Sequence, residues 1–199
     1  MGGSKNGVFN PFTDRLSRDL RNDLSEALLA ALTGGAHAAF LAVAAAYRQH
    51  PELGPGARGY LEDRLACYQA VLAETNRDLP DQQALLLWNH ELFFEFHELL
   101  EKRWRVAEGV ARKVLQALIR AAGTYVLRHA DRREGAVKMA ARAIAIIKRH
   151  QDELPPGFET KRLLVALADP LAPPPQFGIL PPTGYRCRHS ARPAKNQRT

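Results

Sequence analysis

The side chains of this sequence that could do chemistry lie within one short segment. Residues 88–105 read WNHELFFEFHELLEKRWR. On an α-helix, where successive residues turn by about 100°, His97, Glu101 and Trp104 fall on one stripe with two phenylalanines, and Glu98 lies at its edge. An imidazole and a carboxylate one helical turn apart can hydrogen-bond to each other or hold one cation together. We therefore take this stripe as the candidate site.

The helix that follows offers partners for these carboxylates. Gln116 and Arg120 share one face there with mostly apolar neighbours. If the stripe faces that helix as part of the core, Gln116 or Arg120 is expected within hydrogen-bonding distance of Glu98 or Glu101, because a buried charge needs a partner. The opposite side, predicted to face water, carries Glu91, Glu95 and Lys102.

Three interpretations of this cluster stay open: a polar network that fixes how the helices pair, a ligand or metal pocket, and a catalytic site. A HExxH metalloprotease requires a second histidine where Glu101 stands, and no glutamate has a histidine three residues later, as di-iron bundles require. His97 and Glu101 are therefore weak metal candidates. No glycine-rich phosphate loop, GxSxG or CxxC motif is present, and no cofactor is implied.

Helices must position these residues. No proline falls between Asp81 and Leu154, and an interior proline would break a helix, so the main helical hairpins are predicted there. The predicted helices span 14–32 (with Thr13 as N-cap), 36–49, 57–76, 82–106, 110–129, 132–151 and 160–168. Short connections imply antiparallel neighbours, which predicts an all-α antiparallel helical bundle. Its organisation is a flexible arm (1–12), N-terminal helices packed on the core (13–79), a helical core domain (80–169) and a disordered, proline-rich and basic tail (170–199).

The net charge of +7 is concentrated near the C-terminus. Between Gln176 and Thr199 there are five basic residues and no acidic residue, which leaves +2 for residues 1–175. A nearly balanced body argues against a basic groove for nucleic acid. The tail predicts only a weak, salt-dependent nucleic-acid contact.

The cysteines and the hydropathy pattern indicate the cellular compartment of the protein. Cys67 and Cys187 are far apart and form no CxxC pair, which favours a reducing compartment, with Cys67 as a small buried apolar residue. No apolar run has the length of a signal peptide or of a membrane span. The sequence thus predicts a cytoplasmic protein without membrane contact; a homo-oligomer stays open, and no other partner is implied.

Several residues at fixed spacing resemble the hallmark of a known family, the one catalogued as domain of unknown function 309. The similarity covers roughly residues 86–148. The matching residues are Asn89, Phe93-Phe94-Glu95, His97-Glu98, Glu101, Trp104, Leu115-Gln116, Leu118-Ile119 and Gly135-Ala136. The departures are Glu91 and Ala117, which replace glycines, Arg120, which replaces a glutamine, and Ala130-Asp131, which replaces Gly-Asn. The resemblance implies a compact helical fold and no activity, because the function of the family is unassigned.

The candidate polar pocket consists of Asn89, His97, Glu98, Glu101, Trp104, Gln116 and Arg120. The leading hypothesis is a non-catalytic binding or scaffolding module with a buried cluster of histidine, glutamate, arginine and glutamine. The alternative is a metal- or small-molecule-dependent enzyme that uses His97 with Glu98 or Glu101. A second alternative is a nucleic-acid-associated protein that acts through its basic tail. A sealed network would favour the first hypothesis, and a water-accessible His97 pocket would favour the second.

Overall fold

The protein is an all-α structure, as predicted. A computed structural model describes residues 8–35, 37–75, 80–169 and 172–178, and within these ranges it contains eight α-helices and no strand. The helices are α1 (Arg15–Gly34), α2 (His37–Arg48), α3 (Pro55–Glu74), α4 (Pro80–Asn89), α5 (Phe93–Val106), α6 (Gly109–His129), α7 (Arg133–Ile147) and α8 (Thr160–Ala168). A 3₁₀ turn spans Gln151–Glu153.

Helix α1 supplies the face on which the N-terminal half packs. It begins after Asp14, whose carboxylate accepts a hydrogen bond of 2.7 Å from the backbone N–H of Ser17, so the predicted N-cap, Thr13, lies one residue too early. It ends at Gly35, whose φ of 74° suits a residue without a side chain. Its buried leucines are Leu20, Leu24, Leu28, Leu29 and Leu32. Through this stripe α1 packs against α2, α3 and α5.

The single helix predicted over residues 82–106 is wrong, because the chain turns between Asn89 and Phe93. Glu91 has a φ of 56°, in the left-handed region. Its N–H bonds to the carbonyl of Trp88, and the N–H of Leu92 bonds to the carbonyl of Leu87, each at 2.9 Å. These are the two hydrogen bonds of a Schellman motif, which ends α4 and directs the chain into α5.

The same corner recurs between α6 and α7. Asp131 has a φ of 55°, and the N–H of Arg132 bonds to the carbonyl of Leu127 at 2.9 Å. Glu91 and Asp131 are both positions at which the sequence departs from the family hallmark, which has glycine and asparagine there. Glycine and asparagine are the residues that adopt positive φ most readily, so the hallmark reflects this turn geometry.

Trp88 lies at the centre of the core, with none of its surface exposed. Its ring makes edge-on contacts with Phe93 of α5 at 5.1 Å between centroids, with Tyr125 of α6 at 5.6 Å and with Phe158 at 6.1 Å. Edge-to-face packing of this kind is favourable beyond the burial of apolar area. Helix α6 packs against both α5 and α7 and completes this core.

The prediction of disorder from residue 170 onward does not hold for residues 172–178. Phe177 is 2% exposed and packs on Trp88 and Phe158, and Trp88 donates a hydrogen bond to the carbonyl of Pro175. Sequence composition missed this because prolines exclude a helix but not a docked extended segment. Residues 179–199, which carry the basic part of the predicted tail, lie outside the described residues.

The N-terminal arm is likewise docked where it is described. Phe9 stacks on Tyr60 with 3.7 Å between ring centroids, while residues 1–7 lie outside the described part. Cys67 is buried, as expected, but it is disulfide-bonded, which the sequence analysis did not expect. Among the helices described, none combines the length and the apolar composition needed to cross a bilayer.

The α6–α7 corner gives the first prediction. Asp131→Gly is expected to raise the free energy of unfolding by about 1 kcal/mol, because glycine adopts the positive φ without steric cost. The exposed ion pair of Asp131 with Arg133 contributes little against this. Glu134→Gly is the matched control: it lies in the first turn of α7 and is expected to lower the free energy of unfolding by about 0.5–1 kcal/mol. Urea denaturation measures both, and destabilisation by both substitutions would contradict the prediction.

Candidate functional site

Three of the predicted site residues form one cluster on α5. His97 Nδ1 lies 3.2 Å from a carboxylate oxygen of Glu98, and His97 Nε2 lies 3.7 Å from one of Glu101. One potential metal-ligating atom from each residue lies within 4.8 Å of the other two. The structure therefore brings the predicted imidazole and both carboxylates together.

The cluster is partly exposed, which contradicts the predicted core-facing stripe. His97 and Glu101 retain 29% and 36% of their side-chain surface. The buried face of α5 is formed by Phe93, Glu95, Phe96, Leu99 and Leu100. Phe96 is about 100° from His97 on the helix, so the prediction placed the core on the wrong side by centring it on the histidine instead of the apolar residues.

The carboxylates of the cluster line a cleft of about 400 Å³ between α1 and α5, which we call the α1–α5 groove. Its walls carry both signs of charge. The lining residues are Arg21, Asn22, Ser25, Glu26, Leu29, Phe94, Glu98, Glu101, Lys102 and Arg105. Eight of the ten lining residues are polar or charged, so the groove differs from the mainly apolar pockets that bind most small molecules.

The basic partners of the cluster come from α1 and α5 instead of α6. Within the described residues, neither Gln116 nor Arg120 forms a hydrogen bond or ion pair with Glu98 or Glu101, so that prediction is wrong. Arg105, one turn further along α5, lies 3.8 Å from Glu101. Gln116 and Arg120 were predicted as partners because the cluster was expected to face α6, and that orientation of α5 is wrong.

Arg21 of α1 closes the other side of the groove. Its guanidinium carbon lies 3.8 Å from the centroid of the Phe94 ring, a cation–π geometry. Burial lowers the pKa of Arg21, while the nearby Glu95 and Glu98 act in the opposite direction. Arg21 thus brings positive charge toward the side chains of α5.

Glu98 is held in its ionised form. The hydrogen bond with His97 lowers the pKa of Glu98, and the charges of His97, Arg21 and Arg105 add to this effect against the opposing effect of burial. A carboxyl whose pKa is lower in the folded state stabilises the fold above its ordinary pKa of 4.5. That contribution is lost as the pH falls through the pKa of the folded state.

Trp104 and Asn89 serve other parts of the structure. The guanidinium of Arg112 lies over the Trp104 ring at 4.0 Å and donates hydrogen bonds to the carbonyls of Trp104 and Ala107, so it caps the end of α5. The side-chain amide of Asn89 bonds to the backbone of Phe177. The residues that were predicted to form one pocket therefore do not all lie together in the structure.

A buried charge network that was not predicted from the sequence lies on the other side of α5. Glu95, predicted to face water, has none of its side-chain surface exposed. It accepts a hydrogen bond of 2.6 Å from the Tyr68 hydroxyl, and its other carboxylate oxygen lies 3.8 Å from Arg64 Nη1. Tyr68 and Arg64 belong to α3, so this network joins the N-terminal helices to α5.

The network is electrostatically strong and only partly hydrogen-bonded. Burial disfavours the charge of Arg64, but the attraction of Glu95 acts together with Tyr60 and Tyr68 to outweigh it, so the pKa of Arg64 is raised. Burial, followed by the charge of Glu95, raises the pKa of Tyr68 well above its ordinary value. The second oxygen of Glu95, Arg64 Nη1 and the Tyr60 hydroxyl are buried without a hydrogen-bond partner.

The sequence contained one signal for this network. Tyr60, Arg64 and Tyr68 are spaced by four residues on α3 and therefore share one face. An arginine between two tyrosines on a helix with buried leucines requires a counter-charge if that face is buried. The face could be recognised from the spacing, but the identity of the counter-charge depended on the correct orientation of α5.

The buried network gives the second prediction. Glu95→Gln is expected to lower the free energy of unfolding by about 3–5 kcal/mol, because it leaves the charge of Arg64 buried without compensation. Glu98→Gln, three residues later on the same helix and partly exposed, is the matched control and should change it by no more than about 1 kcal/mol. Thermal or urea denaturation distinguishes the two, and equal effects would contradict the assignment of Glu95 as the buried counter-charge.

Comparison with known proteins matches part of the chain to a family. Neither a curated protein nor a solved structure matches the chain significantly. Residues 82–139, which include α5 and α6, match the model of the family described as Domain of unknown function (DUF309). The predicted resemblance to this family is confirmed over these residues.

Proposed function

We propose that this protein is a non-catalytic binding module and that the α1–α5 groove is its binding site. The proposal rests on the surroundings of His97, where a carboxylate lies beside each of the two ring nitrogens. A general base needs a ring nitrogen that can reach the substrate. In this protein Glu98 lies 3.2 Å from Nδ1 and Glu101 lies 3.7 Å from Nε2, so each ring nitrogen faces a carboxylate of the same helix.

The groove also lacks an activated nucleophile among its described residues. Ser25 is the hydroxyl-bearing residue of the lining. Its oxygen is buried and has no hydrogen-bond partner. A serine nucleophile requires a base within hydrogen-bonding distance, and Ser25 has none, which supports binding over acyl-transfer chemistry.

The charges of the groove indicate the kind of ligand. Positive side chains (Arg21, Lys102 and Arg105) and negative side chains (Glu26, Glu98 and Glu101) line the same cleft. On a surface that carries both signs of charge, specificity comes from pairing each charge with an opposite charge of the ligand, and not from net attraction. We infer a ligand or partner segment that carries both a cationic and an anionic group.

The alternative is a metal-dependent enzyme, and one observation favours it. His97, Glu98 and Glu101 could each direct one ligand atom to a common point, and the groove beside them is open to water. Zinc and manganese accept imidazole and carboxylate ligands. Against this, Arg105 lies 3.8 Å from Glu101 and would compete electrostatically with a cation.

Metal titration decides between these functions and gives the third prediction. The melting temperature of the wild type is expected to be the same with a chelator and with excess zinc or manganese, because a protein gains stability only from an ion that binds its folded state. Glu101→Gln should change the free energy of unfolding by less than about 1 kcal/mol, since Glu101 and its charge partners His97 and Arg105 are all in contact with water.

Glu26→Gln provides the control, because Glu26 lines the same groove without belonging to the histidine cluster. A metal-dependent rise in melting temperature that occurs in the wild type and in Glu26→Gln, but is absent from Glu101→Gln, would overturn the proposal in favour of a metal site.

Nucleic-acid contact and a cytoplasmic location stay predictions. The basic residues on which the first depends, Arg186, Arg188, Arg192, Lys195 and Arg198, lie outside the described residues. The disulfide at Cys67 removes one ground for the second, namely the expectation that the cysteines are free thiols.

A further inference from the structure

A short extended segment of the chain occupies a second groove, at the ends of α4 and α6. Trp88 Nε1 donates a hydrogen bond of 2.8 Å to the carbonyl of Pro175, and Arg128 donates one to the carbonyl of Ala172. Both bonds go to the main chain of the segment. The groove, called here the Trp88 groove, is formed by Trp88, Asn89, Arg128 and Phe158.

Asn89 holds the end of the same segment. Its side-chain nitrogen donates to the carbonyl of Phe177 at 2.5 Å, and its side-chain oxygen accepts from the N–H of Phe177 at 2.8 Å. A side-chain amide that pairs with both backbone groups of one residue reproduces the pairing that a neighbouring strand would give. This contact recognises extended backbone and does not depend on the sequence bound.

The segment is suited to this kind of recognition. Residues 172–177 read APPPQF. Each proline fixes its own φ and drives the preceding residue into extended conformation, so Ala172–Pro175 is extended before it binds. Prolines donate no hydrogen bond and leave their carbonyls available, and aromatic grooves bind such segments at low entropic cost.

Phe177 anchors the segment in an aromatic pocket. Its ring centroid lies 5.6 Å from that of Trp88 and 5.2 Å from that of Phe158. Only 2% of its surface is exposed. One buried aromatic anchor together with hydrogen bonds to an extended backbone is the usual composition of a peptide-binding site.

We propose that the Trp88 groove is a binding site for extended, proline-rich peptides with a Pro-x-Phe sequence, and that residues 172–177 are its intramolecular ligand. Trp88, Asn89 and Arg128 lie within residues 82–139, which match the family, whereas the bound segment lies beyond them. The part of the chain that matches the family thus supplies three of the four groove residues, and Phe158 lies beyond it. This site is separate from the α1–α5 groove, and the inference does not depend on the function proposed for that groove.

A bound segment of the same chain competes with any external peptide. A ligand tethered by a short linker has an effective concentration in the millimolar range, so the wild type masks its own site. Weakening the tethered segment without changing the groove should therefore expose a site that binds the same sequence in trans. A segment that is only a fixed part of the core would leave no such site.

The fourth prediction tests this with the full-length chain. Fluorescence anisotropy measures binding of a labelled peptide with the sequence of residues 170–178 to the wild type and to Phe177→Ala. The peptide is expected to bind Phe177→Ala at least about tenfold more tightly than the wild type. A peptide with alanine in place of its phenylalanine should bind neither. Absence of peptide binding to Phe177→Ala with wild-type helicity overturns the proposal.

Two asparagine variants provide the matched control. In the Phe177→Ala background, Asn89→Ala removes both backbone contacts and should weaken peptide binding by about tenfold or more. Asn22→Ala alters the α1–α5 groove instead and should leave peptide binding unchanged. Equal weakening by both variants overturns the assignment of the site.

A second measurement applies if Phe177→Ala does not fold. A protease recognition sequence inserted after Asp169 allows the folded wild type to be cut, in reducing agent because Cys67 is disulfide-bonded. The cut protein is expected to stay helical and to exchange its C-terminal fragment for the labelled peptide. A cut protein that unfolds, or that excludes the peptide, would show that the segment is a permanent part of the core and overturn the proposal.

Discussion

The burial of Trp88 is the constraint on which the arrangement of this domain depends. The indole ring receives side chains from α5, α6, the loop before α8 and the C-terminal segment. Because the ring is fully buried, its N–H needs a hydrogen-bond acceptor within the protein. An unpaired buried donor costs about 1–3 kcal/mol. The carbonyl of Pro175 satisfies it. The need for that acceptor connects the core to residues far along the sequence.

The charged side chains of α5 form two groups on different sides of the helix, one buried and one partly exposed. Glu95 pairs with α3 in a buried environment, whereas His97, Glu98 and Glu101 pair with one another at the edge of the α1–α5 groove. Buried pairs require every partner to remain in place, while partly exposed pairs can exchange partners at little cost. The first arrangement suits a structural role, and the second suits contact with a ligand.

The helical fold could be predicted because leucine spacing and proline placement report directly on helices and their ends. The corner at Glu91 could not, since a glutamate at positive φ carries no local signal without the glycine that the family has there. The cluster of His97, Glu98 and Glu101 was found because residues one turn apart on a helix must be neighbours. Its orientation, the partners of Glu95 and the docking of Phe177 depend on contacts between distant parts of the chain, which spacing alone does not determine.

The contacts of Glu95 extend beyond the residues that match the family. Glu95 lies within residues 82–139, but Arg64 and Tyr68 lie in α3, outside that range. A fragment cut at the limits of the family match would carry a carboxylate whose counter-charge had been removed. In a relative that keeps this glutamate but lacks the preceding helices, the carboxylate is either solvated or paired with a cation from elsewhere, for instance from a second subunit.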